Sequence, residues 1–371
     1  MKQTLVNFFL SLTLFCFCYQ QIQGEPLPKK ALIFGATGQD GTYLAEFLLN
    51  KNYEVHGVSR HSIVSGIYPG HHYHHVKLAS NEHFFSHLGD ITNYETVLQL
   101  IQKIQPDEIY NLAAQSSVKT SFDMPLETFD INSFGTLRIL EAIRQAGCEK
   151  KVRFFQATSS ELYGLAQETP QSEETPFNPC SPYGVTKLCS YWLLKNYRDT
   201  YGYFACTGIL FNHESPLRGE NFVSRKITLG ASRYKLGLQD TLYIGNLDVE
   251  RDWGYAQDYV EAMWLMLQQD QPDDFVIASG ESHSVREFIE VAFKLLDIEI
   301  EWVGKGVDEV GIDKNNRNTI VKVDPKFYRP TDSNFIIGKA AKAERKLHWQ
   351  AKMKFQDLVR MMVEADYNVL K

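Results

Sequence analysis

The stretch Ala31-Leu32-Ile33-Phe34-Gly35-Ala36-Thr37-Gly38-Gln39-Asp40-Gly41 decides how the rest of the chain is read. Four consecutive apolar residues predict a short buried strand, and a glycine-rich turn follows directly. Behind the turn, residues 43–49 carry apolar side chains at helical spacing. In a strand–turn–helix of this kind the glycines let the backbone turn sharply and approach a pyrophosphate, whose charge then lies at the helix N-terminus. Gly35, Thr37, Gly38, Gln39, Asp40 and Gly41 are therefore expected to hold a dinucleotide. A second strand over 55–59 ends in Ser59-Arg60-His61-Ser62. A carboxylate there would bind a ribose 2′-hydroxyl. None is present, and the fork of Arg60 suits a 2′-phosphate instead, so the expected cofactor is NADP.

The alternation continues outward. Helical spacing at Val97, Leu98, Ile101 and Ile104 leads to a strand over 108–112, and a helix over 136–145 leads to a strand over 152–157. A helix over 183–199 leads to a strand over 205–210. This rhythm predicts an α/β fold, a Rossmann-type doubly wound parallel sheet with helices on both faces. Past Asn212 it loosens into helices over 222–236, 256–267, 285–296 and 355–365, with strands near 243–244 and 275–277. No Pro/Ser-rich linker intervenes, so a smaller C-terminal α/β portion is expected to interleave with the first. Residues 28–211 read as the dinucleotide-binding domain carrying the catalytic residues. Residues 212–371 read as the mainly substrate-binding portion, with some segments returning to the first domain. The tract His71-His72-Tyr73-His74-His75 has neither a second cluster nor the spacing of a closed metal site. It reads as part of a solvated loop reaching Asn81, and no metal is expected.

Tyr183-Gly184-Val185-Thr186-Lys187 places a phenol and an ammonium on one face of a helix. A neighbouring ammonium lowers a phenol's pKa, so Tyr183 is expected to act as a base near neutral pH with Lys187 tuning it. Upstream, a strand end reads Thr158-Ser159-Ser160-Glu161-Leu162-Tyr163-Gly164. The Ser159 hydroxyl can hydrogen-bond a substrate alcohol. Glu161 exceeds what a plain dehydrogenase requires, where only a hydride and one alcohol proton move. An added carboxylate suggests proton removal from carbon, and so an elimination.

The glycine turn and the Y-x-x-x-K pair resemble the extended branch of the short-chain dehydrogenase/reductase superfamily. More discriminating are SSELYG at 159–164, Ser181-Pro182-Tyr183, Asn212-His213-Glu214-Ser215-Pro216, Asn221-Phe222-Val223, Arg251-Asp252-Trp253-Gly254 and Tyr328-Arg329-Pro330-Thr331. Together they resemble the GDP-mannose 4,6-dehydratase family from about Lys30 to the C-terminus. The resemblance implies that Tyr183 takes the C4 hydroxyl proton of GDP-mannose while hydride passes from C4 to NADP. Glu161 would then remove the C5 hydrogen and help expel the C6 hydroxyl as water. Hydride returning to C6 leaves GDP-4-keto-6-deoxy-mannose, a first step towards GDP-fucose or related deoxysugars. The family usually has Thr where this chain has Ser159, so the hydroxyl is kept and the β-branch is lost. A doubled arginine is common where this chain has Arg60-His61.

The same resemblance implies that Asp90 and Ile91 flank the adenine, and that Leu112, Ala114, Gln115 and Ser116 line the cofactor's phosphates and ribose. Lys187, His213 and Arg218 would follow the nicotinamide half. Asn212, Asn221, Lys226, Arg251 and Arg329 would hold the nucleotide sugar, the two arginines by bidentate pairing with its diphosphate. A homo-oligomer, dimer or tetramer, is implied as well.

Composition narrows the remaining classes. Thirty-eight Lys and Arg against 45 Asp and Glu leave a net charge of −7, which argues against binding nucleic acid. With 44% hydrophobic and 13% aromatic residues, the 371-residue chain can fill a large core rather than stay disordered. Six cysteines without a C-x-x-C pattern fit a reducing compartment better than a disulfide scaffold. At the N-terminus, Lys2 precedes an apolar run of about 15 residues, too short for a membrane span, so no stable membrane association is expected. This leader, assigned to residues 1–27, resembles a secretory signal without an A-x-A cut, or else an extension ahead of the folded enzyme. Chemistry that needs a supply of nucleotide sugar and NADP favours a cytoplasmic location, with export as the alternative. Three further functions stay open: another nucleotide-sugar 4,6-dehydratase, a 4-epimerase with no need of Glu161, and a non-catalytic NADP-binding regulator.

Overall fold

A computed structural model describes residues 27–62, 72–328, 331 and 335–371. The leader over 1–26, His71 and Arg329 lie outside the described residues. The chain opens with β1 (Lys30–Phe34) and turns through Gly35 into α1 (Gln39–Leu49). β2 (Glu54–Ser59), α2 (His72–Ala79), β3 (Phe84–Leu88), α3 (Tyr94–Ile104) and β4 (Glu108–Asn111) follow. After α4 (Val118–Asp123) and α5 (Pro125–Phe129), a π-helical turn at Asp130–Phe134 runs into α6 (Gly135–Gln145). β5 (Arg153–Ser159), α7 (Pro182–Tyr201) and β6 (Phe204–Leu210) complete the regular part.

The second half is more broken. It begins with β7 (Asn212–Glu214), α8 (Val223–Lys235), β8 (Leu242–Ile244), β9 (Glu250–Arg251), β10 (Trp253–Tyr255), α9 (Ala256–Leu267) and β11 (Asp274–Ile277). β12 (His283–Ser284), α10 (Val285–Lys294), β13 (Ile300–Val303), β14 (Val310–Asp313), β15 (Thr319–Val323) and β16 (Phe335–Ile336) precede α11 (Ala341–Leu347) and α12 (Phe355–Leu370).

Seven parallel strands form the main sheet in the order β11-β6-β5-β4-β1-β2-β3. The order reverses between β1 and β4, and the crevice at such a switch point is where ligands bind in open α/β sheets. Successive strand residues point to opposite faces. Leu32, Ile109 and Phe154 join Ile101, Ile139 and Leu194 of α3, α6 and α7 in one core. Their neighbours Ile33, Tyr110 and Phe155 join Leu44 and Leu48 of α1 and Met263 and Met266 of α9 in the other. The second half thus contributes β11, α9 and α11 to the first sheet and its core. A third core holds Ile227, Trp253, Phe288, Val321, Phe355 and Met362, between α8, α10, α12 and the small sheet β13-β14-β15-β8.

Two expectations change. His72–Ala79 is helix rather than solvated loop. His75 is buried with Nε2 3.3 Å from Thr42 Oγ1, and His74 Nδ1 lies 2.8 Å from Glu46 Oε1. These imidazoles dock α2 on α1, because a buried polar group must find a partner. Strands β3 and β13–β15 were not expected, since they are short and interrupted by charged or imidazole side chains. Among the described residues no group of three or more His, Cys, Asp or Glu could hold a metal, and no helix is long and apolar enough to cross a membrane.

Candidate active site

The glycine turn is built for close approach. Gly35 has φ +87°, and a Cβ there would lie 2.8 Å from the Ala113 amide nitrogen. A Cβ on Gly41 would come within 2.2 Å of the Gly35 carbonyl oxygen, so α1 can pack on the turn only with glycine there. Gly38 caps α1 without any side-chain hydrogen bond and is exposed, so the N-terminus of this eleven-residue helix opens to a ligand. Leu112 N donates to the Phe34 carbonyl, which sets the segment after β4 against the turn. This cradle, which side chains would fill, fits a dinucleotide pyrophosphate.

The residues expected around the cofactor take distinct places. Thr37 sits half-buried in the turn, and Arg60 is exposed at the C-terminal end of β2. Asp90 accepts the Thr92 amide at 2.9 Å, and Ile91 is buried against Gly135. Leu112, Ala114 and Gln115 are half-buried after β4, and Ser116 is exposed. Gln115 N donates to Asn132 Oδ1 at 2.9 Å, and Asn132 Nδ2 donates to Thr186 Oγ1 at 3.0 Å. The π-helical turn therefore ties the loop after β4 to α7. Asn132 was missed, because nothing in local spacing marks a π-turn.

Gln39 and Asp40 spend their side chains inside the protein. Gln39 Nε2 donates to the His213 carbonyl at 3.0 Å, and Ser215 Oγ donates to Gln39 Oε1 at 2.8 Å. Asp40 Oδ2 lies 2.8 Å from His213 Nε2, while His213 Nδ1 is 2.7 Å from the Phe211 carbonyl. The His213 ring stacks on Tyr259 with centroids 4.6 Å apart. Although burial opposes both charges, each partner overrides it: Asp40 falls below the usual carboxylate range and His213 rises above the usual imidazole one.

The residues expected to be catalytic are brought together by β5, the turn after it and α7. Ser181 accepts the Gly184 amide at 3.0 Å as N-cap of α7, Pro182 occupies the first turn, and Gly202 ends the helix with φ +67°. A Cβ on Gly184 would lie 2.6 Å from the Glu161 carbonyl oxygen, so the helix start packs directly on the turn Ser160–Leu162. Ser159 Oγ accepts the Glu161 amide at 3.2 Å, and its hydroxyl is near enough to the Tyr183 phenol to lower its pKa. Tyr183 and Glu161 are both buried.

In the folded chain the Tyr183 phenol is raised rather than lowered. Burial pushes Tyr183 up to about 12, the Ser159 hydroxyl and Arg218 pull it down, and Glu161 and Asp40 push it up. Lys187 Nζ donates to the Ala157 carbonyl at 2.9 Å and lies 5.8 Å from the Tyr183 ring centroid. Burial brings Lys187 itself down to about 8, with Asp40 opposing. Spacing along a helix reports which side chains share a face, and burial decides the charge.

The profile of a family described as GDP-mannose 4,6 dehydratase matches residues 32–362. A GDP-mannose 4,6 dehydratase of Drosophila melanogaster is 51% identical over 350 residues, covering 94% of this chain and 89% of that protein. One from Homo sapiens is 51% identical over 344 residues, covering 92% of each.

The chain belongs to the GDP-mannose 4,6-dehydratase family.

Its fold is shared more widely. A UDP-glucose 4-epimerase of Thermus thermophilus, complexed with NAD, superposes with a TM-score of 0.74 at 24% identity, covering 91% of this chain and 98% of that one. A dTDP-glucose 4,6-dehydratase of Bacillus anthracis, also with NAD, gives 0.72 at 19% identity, covering 91% and 96%.

Of the residues expected to contact the sugar nucleotide in this dehydratase family, Asn212 is half-buried in β7 and Asn221 is exposed before α8. Arg251 is buried in β9, with Nη1 donating to the Glu250 carbonyl at 2.8 Å. Lys226, brought down to about 8 by burial and by Lys326, sits 3.2 Å from the Phe327 ring centroid. Lys119 donates to the Lys326 carbonyl at 2.7 Å, bridging α4 to the second half. Arg218 stacks 3.7 Å over Phe222, with Nε 3.1 Å from Glu214 Oε2. Ser159, Glu161, Tyr183, Arg218, Asp40 and His213 thus gather in one region, with Lys226 and Arg251 further along the second half.

Proposed function

We propose that the chain converts GDP-mannose to GDP-4-keto-6-deoxy-mannose and water, with NADP carrying the hydride internally. The observation that supports this reading best is the carboxylate Glu161 beside the phenol Tyr183 and the hydroxyl Ser159. Oxidation at C4 alone needs only the phenol and a hydride acceptor; the second acid gives the site a group for a carbon-bound proton. Family membership supports the same substrate. The 4-epimerase reading leaves Glu161 without a task.

In this reading Tyr183 takes the C4 hydroxyl proton and Ser159 holds that hydroxyl in line. Glu161 removes the C5 proton, which the new ketone acidifies, and delivers a proton to the departing C6 oxygen. A bound oxidised nicotinamide supplies the hydride acceptor, later the donor, and a positive charge that favours phenolate. Lys187, tied to the Ala157 carbonyl, fixes the rear of the Tyr183 ring. The glycine turn, Asp90, Ile91, Leu112, Ala114, Gln115 and Ser116 line the dinucleotide, with His213 and Arg218 towards its nicotinamide end. Asn212, Asn221, Lys226, Arg251 and Arg329 serve the nucleotide sugar. Arg60 at the end of β2 supports NADP over NAD.

The reading extends to organisation. Residues 28–211 act as the dinucleotide-binding and catalytic domain, and residues 212–371 mainly as the sugar-nucleotide portion. Exposed Leu126, Phe134, Val185 and Trp192 support a homo-oligomer. The need for nucleotide sugar and NADP supports a cytoplasmic location.

Isotope tracing tests the reaction. Deuterium placed on C4 of GDP-mannose should appear in the C6 methyl of the product. Its loss to solvent, or its return to C4, would overturn the assignment.

A further inference from the structure

We infer that Asp366, in the C-terminal helix α12, is a positioning residue for the reaction: through Arg225 it holds the backbone of 216–218, and with it the guanidinium of Arg218 near the Tyr183 phenol. The inference rests on the reading above for the roles of Tyr183 and Arg218.

Arg225 lies in the first turn of α8 with its side chain only 8% exposed, and the Asp366 side chain is 1% exposed. Arg225 Nε donates to Asp366 Oδ2 at 2.9 Å, and Nη2 lies 2.7 Å from Oδ1. The remaining nitrogen, Nη1, donates to the carbonyls of Pro216 and, at 3.1 Å, Arg218. Thr228 Oγ1 adds a hydrogen bond of 2.6 Å to Asp366 Oδ2. One guanidinium therefore spans from the last helix to the loop that follows β7.

A buried carboxylate is costly, and an apolar side chain would serve packing at least as well. What the ion pair adds is direction. A guanidinium is a rigid plane, so fixing two of its nitrogens on a carboxylate aims the third. Here it aims at two consecutive-turn carbonyls that flank Leu217, whose side chain is buried. Arg218 is then held from both sides: its carbonyl by Arg225, its guanidinium by Phe222 and Glu214. Ser224, beside Arg225, donates to Glu214 Oε2 at 2.5 Å, so the same helix turn secures the counter-charge. The charge of Arg218 acts on Tyr183, Asp40 and His213. The groups bearing on the phenol are Ser159, Glu161, Asp40 and Arg218, and Lys187 Nζ lies 5.8 Å from its ring centroid. Glu220 bears on Asp366 from the same loop.

The test compares kcat/KM as a function of pH for the full chain and for Asp366→Asn, Asp366→Glu, Arg218→Gln and the double variant. Arg218→Gln should move the acid limb to higher pH, because a positive charge near the phenol is lost. Asp366→Asn should move it the same way by a smaller amount and lower kcat/KM several-fold. The double variant should go no further than Arg218→Gln, and Asp366→Glu should recover most of the loss. An unchanged acid limb in Asp366→Asn, or additive effects in the double variant, overturns the inference. If Asp366→Asn does not fold, Thr228→Val weakens the same carboxylate with its ion pair intact and carries the comparison. NADP⁺ titration without sugar, followed by tryptophan fluorescence, separates this inference from the assigned reaction. A shared, non-additive loss of NADP⁺ affinity in Arg218→Gln and Asp366→Asn supports it even in a protein that does not turn over GDP-mannose. Without turnover, wild-type affinity in both variants overturns it.

Discussion

His213 and Asp40 stand 173 positions apart in sequence and 2.8 Å apart in space, Nε2 to Oδ2. The Phe211 carbonyl can only accept, so Nδ1 of His213 carries a proton, and a depressed Asp40 leaves Nε2 protonated as well. Between the depressed value of Asp40 and the raised value of His213 the pair is imidazolium and carboxylate, placed where α1 meets β7.

A pH dependence of stability follows with a definite sign. His213, raised in the folded state, contributes fully below about 6.5 and loses its contribution as pH rises through the raised value. Asp40, depressed when folded, contributes above about 3.9 and loses its contribution as pH falls through the depressed value. His213→Gln should cost about 1.5–3 kcal/mol near pH 6, the gap closing as pH rises through the raised His213 value. Thermal melting across that range checks it; a gap that stays constant would refute the ion pair.

Glu161→Gln separates elimination from oxidation. Hydride should still leave C4, so reduced nicotinamide accumulates in a single turnover. Formation of the 6-deoxy product should fall by about 10²–10⁴. Product formed at the parental rate would remove Glu161 from the mechanism.

Gly184→Ala sets helix propensity against space. Alanine favours helix by up to about 1 kcal/mol, yet its Cβ would sit 2.6 Å from the Glu161 carbonyl oxygen. Backbone must move, at about 1–3 kcal/mol, and the start of α7 shifts relative to Glu161. Both melting temperature and kcat should drop, and an unaltered kcat would show that the contact does not set the catalytic geometry.

Arg60→Gln tests the cofactor. Loss of a charged partner for the 2′-phosphate should weaken NADP⁺ binding by about 10–100-fold while NAD⁺ binding stays within a factor of a few. Equal effects on both dinucleotides would remove Arg60 from 2′-phosphate recognition.

Ser159→Thr should retain activity, since the hydroxyl that acts on Tyr183 remains, whereas Ser159→Ala should lose that hydroxyl and with it the acceptor for the Glu161 amide. Steady-state kinetics distinguish them. Equal impairment of the two would mean that the rotamer freedom of serine matters more than its oxygen.

The strand–turn–helix at 31–49 and the Tyr183–Lys187 pair were legible because their chemistry is written in short spacings. The partners of Gln39 and Asp40 were not, since His213 and Ser215 arrive from β7 and the residue after it, far along the chain. Nor was the high pKa of Tyr183, which follows from tertiary burial. The histidine tract misled for a related reason: polar composition suggests solvent, and only the packing of α2 on α1 gives His74 and His75 their partners. Arg225 and Asp366 carry no motif at all, and their meeting depends on how α12 docks.

β11 extends the main sheet past β6, and α9 covers one of its faces. A polypeptide ending at residue 211 would leave that flank wet and its strand edge bare. Swapping everything past residue 211 would therefore replace an edge strand and a covering helix of the first sheet together with the rest of the second half.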